Sequence, residues 1–178
     1  MVQLRGRREG AAGHGVQLRV LGVDPGSAAT GYGLVVRADG GLRLVECGVV
    51  RPDGSEPLPR RLAQIHEGLD RVLDRLEPTC VAVEDIFQGR NARTAAVLGH
   101  VRGAILLTAA LRGLEVAEYP PASIKKAVVG NGNAGKGQVA FMVQKHLGLR
   151  EPPEPADAAD GCAAALCHLL VGTGPLAR

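Results

Sequence analysis

Asp24, Glu84, Asp157 and Asp160 are the residues whose types and spacing could do chemistry. Asp24 closes the apolar run 18–23, and Glu84 closes a second one, 80–83. Asp157 and Asp160 follow a proline cluster at the start of an Ala-rich stretch. In an α/β sheet, functional side chains gather at strand ends and nearby helix termini. Residues at i and i+3 project from one face of a helix. Four carboxylates brought together repel one another and raise each other's pKa, and a divalent cation removes that cost. Mg²⁺ takes oxygen ligands and shares substrate phosphate. Two such ions about 4 Å apart can activate an attacking water and stabilise a leaving oxygen. The chemistry these residues point to is metal-dependent phosphate chemistry. Singly, each has a plainer reading: a turn residue before Pro25, a strand-edge pair in Glu84-Asp85, a helix cap in one of Asp157 and Asp160.

The elements that must position these acids can be read from periodicity. Strands are expected over residues 18–23, 32–37, 42–50, 80–86 and 115–118. Helices are expected over 58–76, 94–111, 123–129, 136–147 and 157–171. Three strands in succession suggest a meander, and the later alternation suggests α/β crossovers. The expected fold is α/β, a mixed five-stranded sheet flanked by helices on both faces. The helix over 94–111 is apolar almost all round, which implies burial on several sides, partly by a second subunit.

Composition narrows the class. The 178 residues suffice for one domain with a real core, and 46% hydrophobic against 22% charged residues is an ordinary globular balance. Residues 1–16 are expected to be a flexible basic arm and 17–178 a single domain. No apolar run reaches the ~20 residues of a membrane span. The polar N-terminus lacks a signal-peptide core, so a cytoplasmic protein with no membrane partner is expected. Net charge is +3, but residues 89–136 hold seven Arg or Lys against Glu115 and Glu118. Such a basic segment suits a polyanion, or is a solvated face. Cys47, Cys80, Cys162 and Cys167 form no CxxC pair and read as reduced core residues rather than zinc ligands. Cys167-His168 reads as packing plus surface.

The chain resembles the RuvC family of bacterial Holliday junction resolvases, dimeric endonucleases of the ribonuclease H-like fold. The resemblance runs over about residues 18–171. It rests on Leu21-Gly22-Val23-Asp24-Pro25-Gly26, Thr30-Gly31-Tyr32-Gly33, Val83-Glu84-Asp85-Ile86-Phe87 and Asn91-Ala92. It continues through Leu98-Gly99, Arg102-Gly103, Lys125 to Gly130, Gly135-Lys136-Gly137-Gln138-Val139 and Ala156 to Gly161. The resemblance implies that Asp24, Glu84, Asp157 and Asp160 are the catalytic metal ligands, holding two Mg²⁺ ions with Mn²⁺ able to substitute. It implies a homodimer acting on four-way junction DNA, in partnership with a branch-migration helicase complex. Phe87 falls where the family places an aromatic near the junction centre, where it could stack on an unpaired base. It reads equally as a core residue. Lys125 and Lys136 match lysines that meet the scissile strand, and Arg90, Arg93 and Lys126 are candidates for backbone contacts. Aromatic content of 2% argues for recognition by phosphate geometry and junction shape.

The chain departs from the family in its late-starting first strand and its Pro-rich segment before Asp157. Three other functions share some of these features. The segment 22–27 also resembles the phosphate loop of actin-like ATPases and sugar kinases, but those need two large domains. A ribonuclease H-like RNA-processing nuclease would keep the acids. A non-catalytic junction-binding module would gain nothing from them, since clustered acids repel DNA in the absence of metal.

Overall fold

The computed structural model describes residues 18–38, 41–85 and 92–171. Its elements run β1 (Arg19–Asp24), β2 (Thr30–Ala38), β3 (Gly41–Val50), α1 (Leu58–Leu76), β4 (Cys80–Glu84), α2 (Ala92–Leu111), β5 (Glu115–Tyr119), α3 (Pro121–Val129), α4 (Lys136–His146) and α5 (Ala156–Val171). The order expected from the sequence is the order found, with ends shifted by one or two residues. The arm 1–16, Ile86, Phe87 and Arg90 lie outside the described residues.

The sheet order is β3-β2-β1-β4-β5. β1 to β3 form the antiparallel meander, and β1–β4 and β4–β5 are parallel, as crossover helices require. Side chains alternate between faces along each strand. Leu21, Val23, Leu34, Val81 and Val83 therefore meet α1 and α2 on one face. Val20, Val35, Cys80 and Ala82 meet α3, α4 and α5 on the other. Arg19 joins the first layer to the sheet: its guanidinium donates to the Leu76 carbonyl at 2.6 Å and the Glu77 carbonyl at 3.2 Å. Those are carbonyls that the end of α1 leaves without helical partners.

Helix α5 is the centre of the second layer. Eleven of its sixteen residues are buried, which explains its Ala-rich composition. It lies almost on the backbone of β1 and β2. A Cβ at Gly22 would overlap the Gly161 carbonyl oxygen, and one at Gly31 would overlap the Asp157 carbonyl oxygen. Cys167 and His168 are both buried, so the expected surface role of that pair is corrected. The His168 ring fills a polar gap, with Nδ1 2.9 Å from the Tyr119 hydroxyl and Nε2 3.6 Å from the Cys80 sulfur. Burial holds its pKa below the ordinary value.

Two further expectations change. Cys47 is half-buried rather than a core residue. Helix α2 is, by length and composition, apolar enough to cross a membrane, which the run-length reading missed. Within the chain, Val101, Ile105, Thr108 and Ala109 are its buried residues.

Candidate metal centre

The register of β1 and β4 builds the first half of the site. Val23 stands opposite Val83 in the parallel pair, so Asp24 and Glu84 emerge side by side at the strand ends. Their positions in the alternation put both on the face covered by α5. Helix α5 supplies the second half from its first two turns. Oxygens of Asp24, Asp157 and Asp160 all lie within 4.8 Å of one another. Glu84 lines the same cavity of about 150 Å³ as Asp24, Asp160, Lys125 and Lys136. The four acids picked from the sequence are thus brought to one place. A larger cleft of about 620 Å³ lies on the other face of the sheet, between the end of β3 and α1, beside Arg51, Arg71 and Arg75. It contains none of the four acids, so chemistry rather than volume selects the smaller one.

The electrostatics of the cluster favour a cation. Asp24 is pushed up to about 7, first by burial and then by the negative charges of Glu84 and Asp160. Glu84 is also pushed up to about 7, by burial and then by Asp160, with Lys136 and Lys125 acting against the shift. Carboxylates held this far above their ordinary range are a site built for more positive charge than the protein supplies. All the acidic donors are hard oxygens, the set that suits Mg²⁺ or Mn²⁺ rather than a thiolate-seeking metal.

Two lysines border the acids. Lys136 opens α4 and places Nζ 2.8 Å from Asp160 Oδ2, although its side chain is 77% exposed. The hydrogen bond to Asp160 raises its pKa. The turn before it is fixed by Gln138 Oε1, which accepts from the Gly135 backbone N–H at 2.9 Å. Lys125, on α3, is half-buried and lines the cavity. Lys126 is exposed on α3 and does not line it, and Arg93 is exposed in the first turn of α2.

Sequence reasoning gave no role to three supports of this arrangement. Arg102 of α2 pairs with Asp85 at 3.3 Å and with Glu118, tying down the strand end that carries Glu84. Its signal was present: it is the only formally charged residue between positions 94 and 111. Gly31 pairs with Asp24 across β1 and β2 and lets the Asp157 backbone rest on it, so one missing side chain sets the distance between two acids. Thr30, fully buried, closes the loop after Asp24 by donating to the Gly26 carbonyl at 3.0 Å.

The chain is similar in sequence and fold to known proteins. The family model "Crossover junction endodeoxyribonuclease RuvC" matches residues 20–168. A crossover junction endodeoxyribonuclease RuvC of Chlorobaculum parvum is 48% identical over 153 residues, covering 86% of this chain and 82% of the relative. The Thermus thermophilus RuvC structure superposes with a TM-score of 0.79 at 39% identity, over 86% of this chain and 95% of that one. T. thermophilus RuvC in complex with Holliday junction substrate gives 0.81 at 38% identity, over 87% and 94%.

Proposed function

The chain belongs to the RuvC family of crossover junction endodeoxyribonucleases, whose fold is ribonuclease H-like, and from that premise we propose that it resolves four-way (Holliday) DNA junctions during recombination and repair. It does so by metal-dependent phosphodiester hydrolysis at symmetric positions in two opposing strands. The observation that carries this reading is the convergence of Asp24, Asp157 and Asp160 within 4.8 Å, beside Glu84.

We assign Asp24, Glu84, Asp157 and Asp160 as ligands of two Mg²⁺ ions, with Mn²⁺ able to replace them. Such ions act as Lewis acids, activating a water and neutralising charge on the phosphate. Asp24 lies close to Asp157 and Asp160 and shares a cavity with Glu84, and these four side chains would hold the ions. Lys125 and Lys136 stand at the rim, where an ammonium offsets the negative charge that grows on the phosphate as water attacks. The bond from phosphorus to the 3′ oxygen breaks, leaving a 5′-phosphate and a 3′-hydroxyl that a ligase can join. Arg90, Arg93 and Lys126 are assigned to phosphate contacts along the arms, and Phe87 to an unpaired base near the junction centre.

The protein works as a homodimer, because a two-fold pair of sites matches a substrate with two-fold pseudosymmetry. Helix α2 supplies the interface. Gly99, Gly103, Leu107 and Leu111 recur every four residues along its exposed side, and Leu107 and Leu111 are 58% and 69% exposed. Nothing lies within 4 Å of where a Cβ on Gly99 or Gly103 would stand, which leaves room for a second helix. Its place of action is the cytoplasm, where the chromosome lies, and a branch-migration helicase complex is the partner that brings junctions to it.

The test is strand cleavage with Mg²⁺ on a synthetic four-way junction with a mobile core, beside linear duplex and an RNA–DNA hybrid. Paired, symmetric nicks on the junction alone, absent in Asp24→Asn, are expected. Tight junction binding without cleavage in either Mg²⁺ or Mn²⁺ would make the protein a binding module. Cutting of the hybrid instead would make it an RNA-processing nuclease.

A further inference from the structure

Cys47 and Cys162 are far apart in sequence but meet in the fold. Cys47 sits opposite Gly33 in the β2–β3 register. Cys162, in the second turn of α5, packs onto Gly33 from above: its Cα lies 2.9 Å from where a Gly33 Cβ would stand, and its sulfur fills that same space. Strand neighbours have Cα atoms about 4.5–5.5 Å apart. That places the two cysteine Cα atoms roughly 6–7 Å apart, around the upper end of the disulfide range. Both side chains belong to the same apolar cluster, so they face the same way. The neighbouring Cys162 thiol pulls the pKa of the Cys47 thiol below its ordinary value. Of the four cysteines, all of them free thiols, Cys47 alone is not buried, and Cys162 is wholly enclosed. A half-buried cysteine backed by a sheltered one is the arrangement of a peroxide-oxidised thiol and its resolving partner.

We propose that Cys47 and Cys162 are a redox-active pair that a hydroperoxide converts to an intramolecular disulfide joining β3 to α5. The Cys47 sulfur attacks the peroxide oxygen, the O–O bond breaks, and with hydrogen peroxide one water leaves and a sulfenic acid remains. The Cys162 sulfur then attacks the sulfenic sulfur and displaces the second water. Two thiols and one peroxide give one disulfide and two waters. The bond closes a loop of roughly 115 residues and fastens the helix that carries Asp157 and Asp160 to the edge of the sheet.

The full-length protein is treated with hydrogen peroxide, denatured, alkylated and analysed by intact mass and peptide mapping. Loss of two alkylatable thiols, a single linked peptide pair containing Cys47 and Cys162, and a rise in Tm of about 5 °C that a dithiol reverses are expected. Cys47→Ser and Cys162→Ala should each abolish the linkage and the Tm rise, while leaving Cys80 and Cys167 alkylatable after denaturation. The proposal is overturned if Cys47 advances to sulfinic acid with Cys162 still alkylatable. Linkage of Cys47 between two chains, or of any other pair, overturns it equally.

Discussion

At the scale of the residue, the metal-free site stores repulsion. Asp24 keeps its proton to about pH 7 in the fold and to about 4 in the unfolded chain. The folded state therefore binds more protons than the unfolded one between those values, and stability falls as pH rises through that window. Glu84 acts in the same direction. Thermal melts of the metal-free protein should show Tm dropping from about pH 4 to about pH 7 and levelling above. Mg²⁺ should restore stability at pH 7 and above and add little at pH 4. Asp24→Asn removes the charge, and should raise metal-free stability at pH 7 by roughly 2–3 kcal/mol while abolishing cleavage. A variant that loses both stability and cleavage would mean that Asp24 is a structural carboxylate. Lys136 offers a second separation of roles. It neutralises Asp160 in the absence of metal and so competes with a cation for that oxygen. Lys136→Met should tighten Mg²⁺ binding by up to about fivefold, the value of an exposed ion pair. It should also slow junction cleavage by about 100-fold, the cost of losing one charge aimed at the transition state. Mg²⁺ calorimetry beside single-turnover cleavage reads the two effects independently.

At the scale of the element, most of the fold was legible because each strand and helix carries its own period. Of the apolar residues of α1 at helical spacing, Ile65, Leu69, Val72, Leu73 and Leu76 are the ones it buries. Asp24 and Glu84 could be paired on paper because both end apolar strands, and the parallel register of β1 and β4 joins them. Less legible was how closely α5 approaches the sheet. A helix rich in alanine reads as weakly amphipathic, and the contact is made by what Gly22, Gly31 and Gly161 lack. Arg102 stood out as a lone charge, but its partners did not, since Asp85 follows β4 and Glu118 lies on β5 with no sequence pattern linking them to α2. The α5 contact makes Gly31→Ala informative. Its methyl would overlap the Asp157 carbonyl oxygen, so the start of α5 must lift. A misplacement of about 1 Å at a reacting site costs on the order of 100-fold in rate, and overpacking a core costs about 1–3 kcal/mol. Cleavage and Mg²⁺ affinity should both fall, whereas Gly54→Ala, with open space around it, should change neither. Normal Mg²⁺ binding by the Gly31 variant would show that the α5 contact does not set the acid geometry.

At the scale of the whole molecule, the two faces of the sheet carry different tasks. The α3–α4–α5 face holds the acids and lysines, and the α1–α2 face ends in the exposed apolar side of α2. One helix couples the faces: Arg102 of α2 grips Asp85, just past the end of β4, while Leu107 and Leu111 are exposed on the same helix. A partner docked along α2 therefore bears on the strand that presents Glu84. In the proposed homodimer, symmetric resolution would need both cuts before the junction separates, and that coordination would be lost if each subunit acted alone. Leu107→Glu with Leu111→Glu puts two like charges into a surface that must be dry to associate, while both positions are exposed in the single chain. The double variant should remain folded, with Tm within a few degrees of the parent, and sediment as a monomer. On a four-way junction it should leave single nicks in place of paired ones, with the rate of complete resolution lowered by at least about tenfold. A variant that sediments as a dimer and still cuts in pairs would move the interface elsewhere, and with it the route by which a second subunit reaches Glu84.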